Sequence, residues 1–355
     1  MKKSFSIVVA LLLILCLLSA CGQQSAPAPA SNTQAPAQEP AAPAQEPADP
    51  AAPAEEPVAE DISYPEKPIE VVIAYGSGGD TDFNARAFFE GLSAELGVSV
   101  VGTNMSGSSG VLASRHVKDS QADGYTVLFH HTGCFVAEMM GLADFTMLDD
   151  LNVACIAAAS PGDCIVMRAD SGITTIKELI DYTTEHPNEI DAAIQLGTMT
   201  HIEGLQLTEA GAKINLIEMG DGSERTAALA GGHTDLTFLS YGVVKDYVDS
   251  GEFVVLGLIG TERSPSYPEV QTCLEQGYNI LLEKLYFFAF PKDTDPAIVK
   301  KFAAAVERVV QDPEYQASVE AAYGQNPFFL GDGEGIDRLG EVRQVTFDYQ
   351  SNLVG

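Results

Sequence analysis

Short apolar blocks alternate with polar, glycine-rich blocks from residue 64 onward. The β-branched run at 69–75 predicts a strand, and the loop at 76–82 separates it from a helix over 83–96, whose apolar residues recur at helical spacing. The same order of strand, loop and helix recurs around the loops at 104–110, 197–201 and 220–223. Such alternation predicts an α/β fold with largely parallel sheets.

The remaining pattern extends this interpretation to two sets of elements. Further strands are predicted at 98–101, 125–129, 165–167, 192–195, 214–218, 235–239 and 254–259. Further helices are predicted at 111–118, 173–182, 202–210, 224–230, 296–310 and 313–323. We assign residues 62–162 and 285–355 to one lobe and 163–284 to a second. Ligands of open α/β sheets bind beyond the carboxyl ends of strands, so two such lobes predict a cleft between them.

The first twenty residues have the pattern of an export signal. Lys2 and Lys3 precede an apolar run at 7–18, which is shorter than the ~20 residues needed to span a bilayer. The run ends in Leu18-Ser19-Ala20-Cys21, which resembles the lipobox of bacterial lipoproteins. That resemblance predicts an exported protein with lipidated Cys21 as its first mature residue, anchored to the cell membrane. The alternative is a plain signal peptide with an incidental cysteine.

Residues 21–61 have the composition of a tether. Nine of the 19 prolines fall here, together with seven acids and no base. Frequent proline opposes helix and sheet, so the segment is predicted to be disordered and extended, with a reach on the order of 120 Å. A proline-rich protein ligand is the alternative, but no basic or aliphatic anchors accompany the prolines.

The charge of the chain excludes one class of partner. Fifty acids against 19 bases give a formal net charge of −31. A chain this acidic is repelled by phosphate backbones, so we expect no nucleic-acid partner. An anionic membrane surface would not hold it by charge either.

Several motifs of the folded part occur together in a recognisable order. They are Tyr64-Pro-Glu-Lys-Pro-Ile69, Gly78-Gly-Asp-Thr-Asp82 with Arg86, Asn104-Met-Ser-Gly-Ser-Ser-Gly110, Asp123-Gly-Tyr-Thr126, Gly197 to His201, Gly231-Gly-His-Thr-Asp235, and Arg263 with Tyr267-Pro-Glu-Val270. This order resembles that of the tripartite tricarboxylate transporter substrate-binding proteins, the TctC/Bug family, over residues 62 to about 345. By that resemblance the protein is identified as a lipoprotein form of the family.

The resemblance implies a two-lobed periplasmic-binding-protein fold of the type II-like, flytrap kind, with a ligand cleft between the lobes. It implies no catalysis and no cofactor. The partners would be a small organic solute, mostly a carboxylate in this family, and membrane permease subunits driven by an ion gradient. Met219-Gly220-Asp221 departs from the family's Tyr-Lys-Gly-like turn, and Ser106-Gly107-Ser108 departs from its Pro-Gly-Ala. The first departure removes a base and adds an acid, so an amino acid or another amine-bearing ligand is the alternative.

Backbone amides at helix starts can bind a carboxylate without any Lys or Arg. The first predicted anchor is the loop before the 83–96 helix, where Asp82 is expected to be the N-cap. The second anchor is the Ser-rich loop after Asn104, and the second lobe contributes its own loops. The candidate ligand-binding residues are Tyr75, Gly78, Gly79, Asp80, Thr81, Asp82, Asn104, Ser106, Gly107, Ser108, Ser109, Gly197, Thr198, Thr200, His201, Gly220, Asp221 and Gly222. The alternatives are tight turns without a ligand, a core role for Tyr75, and a bracing role for Asn104 or His201.

Motifs of other functions are missing or incomplete. Residues 76–81 fail the G-x-G-x-x-G pattern at its last position, and no G-x-S-x-G nucleophile elbow occurs, so a secreted α/β hydrolase is only a remote alternative. Adjacent residues of a strand point to opposite faces, so His130 and His131 are not expected to share a metal ion. Cys155 and Cys164 flank a turn and could form a disulfide.

Overall fold

The computed structural model describes residues 62–331 and 333–350. The predicted signal peptide, the lipobox with Cys21 and the tether lie outside these residues. Among the described residues, no helix combines the length and the apolar character that crossing a bilayer requires.

Ten strands form two five-stranded sheets. The strands are β1 (Ile69–Ile73), β2 (Val100–Asn104), β3 (Thr126–His131), β4 (Leu151–Ala159), β5 (Asp163–Arg168), β6 (Asp191–Ile194), β7 (Asn215–Glu218), β8 (Leu236–Ser240), β9 (Phe253–Ile259) and β10 (Leu285–Pro291). The first sheet has the order β2-β1-β3-β10-β4 and the second has the order β7-β6-β8-β5-β9. We call each sheet with its covering helices a lobe, lobe 1 and lobe 2.

Both sheets are mixed, so the prediction of largely parallel sheets is wrong. Parallel pairing joins β1 to β2 and β3, and it joins β6 to β7 and β8. In contrast, β10 runs antiparallel to β3 and β4, and β5 runs antiparallel to β8 and β9. β5 and β10 are the first strands after the chain crosses from one sheet to the other, and each runs antiparallel to both of its neighbours.

Twelve helices accompany the strands in the described part of the chain. They are α1 (Asp80–Ala87), α2 (Phe89–Leu96), α3 (Val111–Lys118), α4 (Cys134–Met139), α5 (Met147–Asp150), α6 (Ile176–Glu185), α7 (Met199–Glu209), α8 (Gly222–Ala230), α9 (Tyr241–Asp249), α10 (Pro296–Gln311), α11 (Pro313–Tyr323) and α12 (Glu334–Asp348). The predicted helix over 83–96 is two helices that meet at Phe88, and the first begins three residues earlier than expected.

Each lobe has its own apolar core. In lobe 1, Phe88 and Leu92 pack with Phe288 of β10 and Phe302 of α10. In lobe 2, β5 and β8 pack against α6 through residues such as Ile165, Leu179 and Phe238. Every residue of β10 is buried, and an uninterrupted apolar run cannot be assigned to strand or helix by its period. For this reason β4 and β10 were not among the predicted strands.

The chain crosses between the sheets in two places. Residues 160–162 lead from β4 into β5, and the segment between β9 and β10 leads back. These crossings bring the loops that precede α1, α7 and α8 together around one cavity between the lobes.

Candidate functional site

The cavity between the lobes is small, about 40 Å³. Its lining comes from both lobes and from the segment before β10. The lining residues are Tyr75, Gly76, Gly79, Asp80, Thr81, His131, Asp163, Gln195, Thr198, Met199, Thr200, Asp221, Gly222, Arg225 and Lys284.

Asp82 fixes the loop before α1, although not as its N-cap. The N-cap is Gly79, which has no side chain to bond the helix, so the predicted capping role is wrong. Asp82 lies in the first turn, and its carboxylate accepts hydrogen bonds from Gly78 N at 3.0 Å, Arg86 Nε at 2.7 Å and Asn104 Nδ2 at 2.9 Å. Asn104 also donates to Tyr75 O at 2.9 Å, which is the bracing role that was one of its two predicted roles.

The start of α1 offers free donors to the cavity. Within the described protein, the backbone N–H groups of Gly79 and Asp80 have no hydrogen-bond acceptor, while Gly78 N and Thr81 N bond the side chains of Asp82 and Asp80. Gly79 and Asp80 both line the cavity. Unpaired N–H groups at a helix start carry the positive end of the helix dipole, so this wall can bind an anion.

A buried ionic cluster forms the floor of the cavity. Lys284 Nζ lies 2.5 and 2.6 Å from the two oxygens of Asp163 and 3.0 Å from Asp80 Oδ2. Tyr286 Oη donates to Asp80 Oδ2 at 2.6 Å, and Ser240 Oγ lies 3.1 Å from the same oxygen. Burial alone would raise the pKa of Asp80, but the charge of Lys284 and the hydrogen bond from Tyr286 lower it well below its usual range. Asp80 is therefore ionised and already holds an ammonium group.

Asp221 connects the two lobes across the cavity. It is the N-cap of α8 in a capping box with Glu224, and its Oδ1 accepts from Ser223 N at 3.1 Å and from Glu224 N at 3.3 Å. Its Oδ2 accepts from Gly76 N at 3.1 Å in lobe 1. A Cβ atom on Gly76 would lie 2.1 Å from that oxygen, so the contact requires glycine. The N–H groups at the start of α8 are thus partly occupied by the chain's own carboxylate.

The second predicted anchor bonds the opposite lobe instead of facing the cavity. Ser106 Oγ lies 3.4 Å from Asp221 Oδ2, and Ser109 Oγ donates to Leu196 O at 2.6 Å. Ser108 and Ser109 have positive φ values of 46° and 56°, which places their backbone in the left-handed region.

The structure brings eight of the eighteen predicted residues to the cavity. These are Tyr75, Gly79, Asp80, Thr81, Thr198, Thr200, Asp221 and Gly222. The others lie outside its lining: Gly78, Asp82, Asn104, Ser106, Gly107, Ser108, Ser109, Gly197, His201 and Gly220. Thr198 and Thr200 bond each other through their hydroxyls at 3.0 Å, and Thr200 also accepts from Gln195 N at 2.9 Å.

Sequence reasoning missed seven lining residues: Gly76, His131, Asp163, Gln195, Met199, Arg225 and Lys284. A signal existed for Lys284, because it is the one base in the apolar segment 280–291. His131 stacks on Tyr75 with ring centroids 4.9 Å apart, and burial followed by the neighbouring His130 lowers the pKa of His131, so its ring is neutral.

Arg225 is the least satisfied of the missed residues. Its side chain is 6% exposed, and it donates from Nη1 to Gly220 O at 2.8 Å and from Nη2 to Phe238 O at 3.3 Å. Its buried Nε has no hydrogen-bond partner. Buried polar groups are normally hydrogen-bonded, so the unpaired Nε of Arg225 is unusual.

The cysteines and histidines provide no second centre in the described residues. Cys134, Cys155, Cys164 and Cys273 are all buried and unpaired, so the possible disulfide between Cys155 and Cys164 is not formed. The described residues contain no cluster of ligands that could hold a metal ion.

The sequence matches a family model and a curated relative. Residues 84–332 match the family model described as "Tripartite tricarboxylate transporter family receptor". A protein of Cupriavidus necator, "UPF0065 protein in gbd 5'region", is 30% identical over 276 residues, which are 77% of this chain and 83% of that protein.

Solved structures share the fold at lower identity. MatC from Rhodopseudomonas palustris with bound malate has a TM-score of 0.73 at 21% identity, covering 82% of this chain and 100% of that one. The R. palustris protein Rpa4515 with adipate also has a TM-score of 0.73 at 21% identity, covering 81% and 96%. This likeness confirms the predicted two-lobed α/β fold.

Proposed function

Because the chain belongs to the tripartite tricarboxylate transporter receptor family, we propose that it is a lipid-anchored receptor that delivers a small organic carboxylate to a transporter of that type. The resemblance identified in the sequence is thereby confirmed at the level of the family. The protein is a solute receptor and not an enzyme, so the hydrolase alternative is removed.

The observation that supports a carboxylate as the solute is the start of α1, whose first N–H groups are free. The N–H groups of Gly79 and Asp80 have no acceptor within the described protein and border the cavity. A carboxylate bound there would satisfy both donors and meet the positive end of the α1 dipole. The malate in the MatC structure and the adipate in the Rpa4515 structure are carboxylates held by proteins of this fold.

Delivery requires that the receptor stays near its transporter. We propose that residues 1–20 are removed, that lipidated Cys21 holds the chain at the membrane, and that residues 21–61 act as a spacer. Membrane permease subunits would then receive the solute from the two lobes, whose boundaries we place at 162/163 and 284/285. A single acyl chain anchors only weakly, so lipoprotein anchoring relies on more than one chain.

The solute is tested by calorimetric titration of the purified protein with a panel of mono- and dicarboxylates. We expect saturable binding of at least one of them, with a loss of ~10-fold or more in affinity when Gly79 is replaced by Pro, which has no N–H to donate. A panel without any binder contradicts the carboxylate assignment.

The anchor is tested by Cys21→Ala expressed in the native host. We expect the wild-type chain in the membrane fraction and the variant outside it. A variant that stays with the membranes contradicts lipid anchoring through Cys21.

A further inference from the structure

We infer that the solute is a compact zwitterion, whose carboxylate is bound by Arg225 together with the start of α1 and whose ammonium is bound by Asp221. The inference rests on the receptor function proposed above and names its substrate class. Around the cavity, Lys284 is neutralised by carboxylates of the protein, whereas Arg225 and Asp221 form no ion pair within the described residues.

Lys284 is not available to a solute. It is 6% exposed and its ammonium contacts both oxygens of Asp163 and one oxygen of Asp80. Buried charges are stable only when they are paired, and this cluster pairs one cation with two anions. Glu203 is buried as well, and burial followed by the charge of Asp163 raises the pKa of Glu203 well above its usual range. Glu203 is therefore uncharged and adds no further anion.

Arg225 is the cation that remains. Its guanidinium lines the cavity and forms no ion pair with any carboxylate of the described residues. Of its five N–H donors, two bond carbonyl oxygens and the buried Nε–H bonds nothing. The second N–H groups of Nη1 and Nη2 also have no acceptor in the described protein, and a guanidinium binds a carboxylate in a fixed planar geometry, so a solute carboxylate in the cavity can accept from them.

Asp221 is the anion that remains. Its Oδ1 is held by the N–H groups of Ser223 and Glu224, while its Oδ2 accepts from Gly76 N and lines the cavity wall. No Lys or Arg of the described residues forms an ion pair with Asp221. Near a carboxylate site, an anion without an ion pair favours an ammonium and repels a second carboxylate.

The size of the cavity favours a small solute. The space between the lobes amounts to about 40 Å³, which leaves room for a compact solute such as a short amino acid. A dicarboxylate would bring two anions to a wall whose only unpaired cation, within the described residues, is Arg225.

The experiment compares isosteric ligands by calorimetric titration at pH 7.5. Alanine and lactate differ by an ammonium for a hydroxyl, and alanine and alaninamide differ at the carboxylate. We expect alanine or glycine to bind at least tenfold more tightly than lactate, alaninamide and succinate. Tighter binding of lactate or succinate overturns the zwitterion and leaves the carboxylate receptor intact. Absence of binding by all of these ligands overturns the zwitterion, whereas the carboxylate receptor is overturned only when the wider panel of mono- and dicarboxylates also contains no binder.

Two variants assign the charges to residues. Asp221→Asn keeps a good N-cap for α8, and we expect it to lose the preference for alanine over lactate. Arg225→Gln is expected to lose the preference for alanine over alaninamide. Matched controls are Asp312→Asn, which changes the N-cap of α11, and the exposed Arg308→Gln; both should bind as the wild type does. Asp221→Asn with an unchanged preference for alanine overturns the assignment, even if Arg225→Gln fails to fold.

Discussion

Two strand–loop–helix units meet at the cavity, and they use their helix starts in opposite ways. In lobe 1, β1 leads through a loop to α1, whose N-cap is Gly79 without a capping side chain. In lobe 2, β7 leads through a loop to α8, whose N-cap Asp221 satisfies the N–H groups of Ser223 and Glu224. One helix start is open to an anion, while the other is partly filled by the protein's own anion.

The difference shows that a glycine-rich loop before a helix is not in itself a binding site. The residue at the N-cap decides whether the first N–H groups remain free. In this protein the open start belongs to lobe 1, and the capped start reaches across the cavity through Asp221 to Gly76 N. Closure of the lobes and selection of the solute therefore depend on the same carboxylate.

The largest expected effect is on stability and concerns Lys284, the cation that neutralises Asp80 at the start of α1. Lys284→Met leaves Asp163 and Asp80 buried without their counter-charge, and breaking such a pair costs about 3–5 kcal/mol of unfolding free energy. Urea denaturation at pH 7 measures this loss. The control is Lys245→Met, which removes an exposed pair with Asp249 on α9 and should cost less than about 1 kcal/mol.

The pH dependence of the same variant gives a second measurement. The pKa of Asp80 is lowered in the folded protein, so its stabilising contribution is present above the unfolded value of about 4 and is lost as the pH falls below it. We expect the difference between wild type and Lys284→Met to be full at pH 7 and to shrink below pH ~4. A constant difference would mean that Lys284 stabilises the fold by packing and not by charge.

The contact between the two units is expected to have the next largest effect. Gly76→Ala places a Cβ atom where Asp221 Oδ2 lies, so the lobes close only if Asp221 leaves its cap. Overpacking of this kind costs about 1–3 kcal/mol, which corresponds to a loss of roughly 10- to 100-fold in solute affinity. Calorimetric titration measures the loss, and small-angle scattering should show a larger radius of gyration with ligand present.

A glycine with open space around it provides the control. Gly340→Ala lies in α12, where an added Cβ meets no atom within 4 Å, so binding should not change. If Gly76→Ala binds as tightly as this control, the contact between Gly76 and Asp221 is not part of the closed state.

The sequence predicts the loop before α1 and the start of that helix better than it predicts the charged groups around them. Gly79, Asp80 and Thr81 follow a β-branched strand within a few residues, so strand, loop and helix start can be recognised from local pattern alone. Asp82 was predicted to be the N-cap, but it bonds the loop from the first turn of α1, because Gly79 is the N-cap.

The ionic cluster could not be predicted in this way. Lys284 bonds Asp163 and Asp80, which are 121 and 204 positions away in the chain. Arg225 of α8 bonds the carbonyl of Phe238 on β8. Such pairs depend on the order of strands in each sheet and on the crossings between lobes, and no local period of the sequence encodes either.

The smallest effect is expected for a substitution that gives α1 a side-chain N-cap like that of α8. Gly79 has φ −86° and ψ 175°, and an added Cβ has no close neighbour, so Gly79→Asn can supply the side-chain cap that Asp221 gives α8. We expect a few tenths of a kcal/mol of added stability, because Asn caps only slightly better than Gly. Solute affinity should fall on the order of tenfold, since the amide oxygen of the new cap, which bonds the N–H groups of Thr81 or Asp82, places a negative partial charge beside the Gly79 and Asp80 N–H groups that the carboxylate needs. Gly79→Ala adds the same Cβ without an acceptor and should keep most of the affinity in calorimetric titration. Equal losses in both variants would show that space at the start of α1, and not its free N–H groups, distinguishes the two units.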